Sequence, residues 1–133
     1  MPAQAGEIES DLKKSGQVTL TASGGVLSFD PDHANQRWEV SSVVCKTNQS
    51  STATTVPVVT LALNTTAAST MSDGNNQGQS WNGNQVTFRG LTLVGPCDFL
   101  SVLWTPPAGQ SGTPLVGVVA SAVVMGKKYT RRK

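Results

Sequence analysis

Apolar and polar positions alternate with period two along most of this chain, and the pattern is clearest in residues 36–47, QRWEVSSVVCKT. Taken in steps of two, Trp38, Val40, Ser42 and Val44 share one face, while Arg37, Glu39, Ser41, Val43 and Cys45 share the other. An aromatic and three valines in such alternation predict a strand inside a sheet, with one face on a core. Residues 98–105, DFLSVLWT, repeat the arrangement with Leu100, Val102 and Trp104 on one face. Trp38, Val40, Leu61, Phe88, Leu100, Val102 and Trp104 are therefore expected to form one core.

Shorter elements surround these two. Val18, Leu20 and Ala22 alternate with polar neighbours, Ser23-Gly24-Gly25 supplies a turn, and residues 26–29 return as a hairpin partner. The cluster DPDHAN at 30–35 is a turn into the Trp38 strand. Residues 57–63 form a further strand with Val59, Leu61 and Leu63 inward, and residues 85–88 and 91–93 resume the alternation. Residues 115–125, rich in valine and alanine, close the series. No segment repeats with helical period over a helical length. Seven to eight short strands with turn signals between them predict an all-β fold: a single antiparallel β-sandwich, immunoglobulin-like or jelly-roll in type.

Length and charge refine the picture. A chain of 133 residues is expected to be one domain with a core of its own. Charged residues are only 14% of it, against about 25% in typical domains, so Ser, Thr, Asn, Gln and Gly must clothe the surface. The ends depart from the sandwich pattern. Residues 1–16 read as an N-terminal arm, 17–126 as the sandwich and 127–133, KKYTRRK, as a basic tail with Lys127, Lys128, Arg131, Arg132 and Lys133. The preceding 126 residues hold five basic and eight acidic side chains, so a basic tail faces a mildly acidic body. No apolar segment approaches the roughly 20 residues needed to span a bilayer, and the N-terminus lacks the apolar core of a signal peptide. The expectation is a soluble protein with no membrane insertion.

Catalytic and metal-binding patterns are sparse. The single histidine, His33, lies in a turn, and no nucleophile elbow, phosphate loop or HExxH motif occurs. Asp30, Asp32 and Asn35 carry oxygen ligands, but their spacing fits no EF-hand loop. No catalytic residue, metal site or cofactor is expected, and the protein is not expected to be an enzyme. Cys45 and Cys97 flank the two tryptophan strands, but Cys45 falls on the face opposite Trp38. A core disulfide would need a bulge to correct that parity, so two free and dispensable thiols are expected. Trp81 and Asn82 sit in a polar loop, QSWNGN, within the irregular stretch 64–84. Trp81 has two readings, a contact residue or a side chain folded back over the core. The basic tail suits an acidic protein surface; without an aromatic-interleaved sheet, nucleic acid is not an expected partner.

The order SGQVTLTASGG, QRWEVSSVV, a Ser/Thr loop, a Val-rich strand, a Gly/Asn-rich loop, LSVLWTPPAGQSGT and a final Val/Ala strand spans residues 15–124. It resembles a group of small β-sandwich structural proteins of tailed bacteriophages, especially those of actinobacteria. That resemblance implies a virion component of capsid-decoration or minor-tail type, made in the bacterial host cytoplasm. It also implies packing against other virion proteins and against copies of itself, and it brings no catalytic residues. The partner-binding candidates are then Trp81, Asn82, Lys127, Lys128, Arg131, Arg132 and Lys133. The alternative is a carbohydrate-binding module that reads a host-surface glycan with the Trp81 loop.

Overall fold

A computed structural model describes residues 6–48, 57–64, 85–106, 109 and 111–131. Seven strands occur among them: β1 (Glu7–Thr19), β2 (Gly25–Phe29), β3 (Gln36–Thr47), β4 (Val58–Leu63), β5 (Gln85–Val94), β6 (Leu100–Thr105) and β7 (Val119–Arg131). A 3-10 turn, Thr113–Leu115, precedes β7. The strands make two antiparallel sheets, ordered β1-β7-β3-β5 and β2-β6-β4. This is the all-β sandwich that the alternation predicts.

One cluster of buried side chains joins the two sheets. Trp38, Val40, Val43, Cys45, Val86, Phe88, Val94, Ala120, Ala122 and Val124 belong to it from the four-stranded sheet, and Phe29, Val59, Leu61, Leu100, Val102 and Trp104 from the three-stranded one. All seven residues expected in the core are there. Trp38 keeps its polar edge satisfied: its indole N–H donates to Gln36 Oε1 at 2.9 Å, and Gln36 Nε2 donates to Thr130 Oγ1 at 3.1 Å. Trp104 Nε1 is buried with no hydrogen-bond partner among the described residues, which costs about 1–3 kcal/mol.

Three expectations need correction. The face assignment in β3 holds only to Val40, because the register shifts between Val40 and Ser42 against both β5 and β7. Ser41 is the extra residue of a bulge, and an extra residue exchanges the faces beyond it. Val43 and Cys45 therefore enter the core, while Ser42 and Val44 turn outward. Gly126 of β7 lies opposite Val40; a Cβ there would sit 2.1 Å from the Glu39 carbonyl oxygen, so the bulge packs only against a glycine. The bulge that a Cys45–Cys97 bridge required is thus present, yet Cys45 is buried, Cys97 is exposed, and both thiols are free.

The second correction concerns the ends. Residues 7–16 of the expected arm are strand, paired residue for residue with β7 from Glu7↔Arg131 to Thr19↔Val119. Leu12 is the one residue of β1 that is fully buried, so this edge is held by its backbone ladder rather than by an apolar face. The expected tail is likewise strand as far as Arg131, with Tyr129 buried. The N-terminal end takes its order from the C-terminal one, which is itself paired on its other side with β3.

Third, the expected hairpin of residues 17–29 stops at its turn. Thr21 and Gly24 exchange backbone hydrogen bonds of 2.9 Å, but β1 continues in one sheet and β2 in the other. The chain crosses between layers there because Val18 and Leu20 point into the space both sheets cover.

Candidate interaction surface

The outward face of the four-stranded sheet carries most of the charge chemistry among the described residues. The registers place Glu7, Glu9 and Asp11 of β1 beside Arg131, Tyr129 and Lys127 of β7, and Tyr129 and Lys127 beside Arg37 and Glu39 of β3. Arg37 is the hub. Its Nε and Nη2 donate to the two carboxylate oxygens of Glu7, each at 2.9 Å, and its Nη1 donates to Glu39 Oε2 at 3.0 Å. The guanidinium also lies 4.3 Å from the centre of the Tyr129 ring, and the Tyr129 hydroxyl donates to Glu39 Oε1 at 3.4 Å. The side chains of Glu7 and Glu39 are only 4% and 6% exposed.

Burial opposes ionisation of Glu39, but hydrogen bonds and positive charge, Arg37's among them, outweigh it and hold the carboxyl below the usual range. Arg37 itself is raised, first by its bonds to Glu7. Burial and the neighbouring carboxylates of Glu39 and Glu9 raise the Tyr129 phenol. A bidentate guanidinium on one carboxylate, bonded also to a second and stacked on an aromatic ring, is a rigid cross-brace of three strands.

Apolar side chains adjoin this network on the same face. Leu93 of β5, opposite Glu39, and Leu91 are 46% and 58% exposed, and Val44, Val119, Val123 and Met125 are half-buried further along, where Lys46 and Arg89 are exposed. The surface thus sets exposed apolar side chains beside a braced charge network, a combination suited to contact with another protein.

A cleft of about 250 Å³ lies elsewhere, between residues 30–34 and 97–99. It gathers Asp30, Asp32, His33, Cys97 and Asp98, and two of its three acids are committed. Asp32 pairs with Lys14, whose hydrogen bond lowers its pKa. Asp98 accepts from the Gly95 N–H and from Asn64 Nδ2, both at 3.0 Å. Neither carboxylate is set up as a general base. No group of three metal-ligating side chains occurs among the described residues, and none of their helices is long and apolar enough to cross a membrane.

Of the expected contact residues, Lys127 and Arg131 share the outward face at the end of β7, while Lys128, at the register of Trp38, falls on the opposite face. Lys127 lies 2.6 Å from Asp11 and 3.9 Å from Glu9. Arg131 is tied to Asn35: its N–H donates to the Asn35 carbonyl at 2.9 Å, and Asn35 Nδ2 donates to the Arg131 carbonyl at 2.6 Å. Trp81, Asn82, Arg132 and Lys133 lie outside the described residues. What the sequence reading missed is the acidic row of β1. Its signal is there in the sequence, since Glu7, Glu9 and Asp11 recur with period two.

No protein-family model matches this chain, and no curated protein sequence does either. Among solved structures the chain is similar to one described as the cyanophage Pam1 capsid asymmetric unit, at 14% identity and a TM-score of 0.39, over 99% of this chain and 91% of that one.

Proposed function

We propose that this protein is a non-catalytic structural component of a tailed-phage virion, an accessory protein on the capsid surface or the tail that acts by packing against other virion proteins. The observation that carries the reading is how the charges are arranged. Glu7, Arg37 and Glu39, Asp11 and Lys127, and Asp32 and Lys14 pair segment to segment and brace the fold; those that line a cleft, Asp32 in one and Glu7 and Arg37 in another, are held there in ion pairs rather than left as reacting groups. With a surface otherwise clothed in uncharged polar residues, such a body suits passive packing. The sequence resemblance to phage β-sandwich proteins supports the same reading.

The test is to purify particles from the lysate of a host producing this protein and identify their constituents by mass spectrometry. A fixed ratio of this chain to the major shell or tail protein, stable through a density gradient, is the expected result. Absence from gradient-purified particles refutes it. Retention on immobilised host glycans that is lost in Trp81→Ala would then favour the carbohydrate-binding reading.

A further inference from the structure

We infer that the free edge of β1 is a self-docking surface, on which a second copy of this chain adds its own β1 antiparallel about a two-fold axis through Leu12. The inference deepens the packing role proposed above and rests on that reading for its biological setting. Its geometry comes from the strand itself.

Among the described residues, β1 is an edge strand whose one hydrogen-bonded strand neighbour is β7. Its 13 residues contain no proline, and its ladder to β7 runs without a register shift. The other edges are less suited. The β2 and β4 strands have five and six residues. The β5 strand is broken at Gly90, whose φ is 118°, and its register shifts beside the β3 bulge. A long, regular edge is a template for another strand. Edge charges usually discourage such pairing, so the arrangement of signs along β1 decides what can dock.

That arrangement is self-complementary. Acidic Glu7, Glu9 and Asp11 occupy the first half of β1, and basic Lys13 and Lys14 follow Leu12. Antiparallel pairing centred on Leu12 sets Asp11 opposite the second copy's Lys13, and Lys13 opposite the second copy's Asp11. Glu9 then lies diagonally across from Lys13 of the second copy, on the same outward face. Lys127 already sits at 2.6 Å from Asp11 in the neighbouring strand. The result is an alternating row, Lys127, Asp11 and the second copy's Lys13, repeated in reverse by symmetry. A parallel approach would place acid on acid. Two four-stranded sheets would so become one continuous eight-stranded sheet, with an isologous, closed interface.

The test is sedimentation equilibrium of the full chain, under reductant because Cys97 is exposed and free. A species of twice the 13.9 kDa chain mass is expected. Asp11→Lys alone and Lys13→Asp alone each place like charges opposite one another twice per dimer. Each should weaken self-association at least about tenfold. Mixed in equal amounts, the two variants should pair with each other and restore the dimer, because every facing pair is again of opposite sign. Asp11→Asn and Lys13→Gln add no repulsion and should weaken it less, in the same direction. Melting curves confirm that each variant is folded. A wild-type chain that stays monomeric at its highest soluble concentration overturns the inference, as does a dimer indifferent to both charge reversals or variants that fail to rescue each other. Particle incorporation is scored separately. A monomer that still enters particles overturns β1 pairing and leaves the packing role standing; a dimer that never enters them does the reverse.

Discussion

Replacing Arg37 with alanine removes the group that holds two nearly buried carboxylates on the outward face of the sheet. Glu7 loses a bidentate partner and Glu39 loses a 3.0 Å hydrogen bond, while Tyr129 loses the cation stacked on its ring. Breaking a buried ion pair by removing one partner costs about 3–5 kcal/mol. Arg37 keeps 18% of its side chain exposed, so the lower end, about 3 kcal/mol, is expected, and for a chain of this size that lowers Tm by roughly 10 °C. The sign of the pH dependence follows from Glu39. Its carboxyl is held below the usual range in the folded state, so its stabilisation is present above the unfolded carboxylate pKa, about 4.3, and is lost as pH falls through the lower folded value. Chemical denaturation of wild type and Arg37→Ala, at neutral pH and at a series of pH values from about 5 down to 3, measures both quantities. The variant should start lower and lose less with acid. If Arg37→Ala unfolds within about 0.5 kcal/mol of wild type at neutral pH, the brace is a surface contact and the reasoning fails.

Three other perturbations have defined outcomes. Trp104→Ala should cost about 3–5 kcal/mol by leaving a large cavity, whereas Trp104→Phe, which removes an unpartnered buried N–H, should stay within about 1.5 kcal/mol of wild type in the same denaturation assay. The cysteines should behave oppositely. Cys45, whose thiol burial pushes up to about 12, should resist a thiol reagent until the protein unfolds, and Cys45→Ser should cost about 1–3 kcal/mol; Cys97 should react at once, and Cys97→Gly, which relieves a φ of 68°, should be neutral or stabilising by up to about 1 kcal/mol. Deleting residues 127–133 should abolish cooperative melting in calorimetry, because it removes buried Tyr129 and the β7 partners of residues 7–11.

The alternation of residues along the chain determined the fold class and the core. Period-two patterns around Trp38 and Trp104, with valines and leucines at the same spacing, leave no other way to bury those side chains than strands in facing sheets. The same local signal could not determine which strand lies beside which, because antiparallel pairing joins residues as far apart as Glu7 and Arg131. That is why residues 7–16 and 127–131 read as arm and tail: neither end has an apolar stripe, and they are ordered by backbone pairing, residues 7–16 with β7 and residues 127–131 with both β1 and β3. The exchange of faces in β3 was only partly legible. The alternation of QRWEVSSVVCKT breaks at Ser41-Ser42, which precede three consecutive apolar residues, but that break does not say which face the later residues take; the close approach of Gly126 to the Glu39 carbonyl admits Ser41 as an extra residue and turns Cys45 inward. The charged surface divides in the same way. The acidic row at positions 7, 9 and 11 is written in the sequence, but its meeting with Arg37, Tyr129 and Lys127 exists only once three distant segments lie side by side in one sheet, where main-chain pairing, rather than any side chain's preference, sets their order.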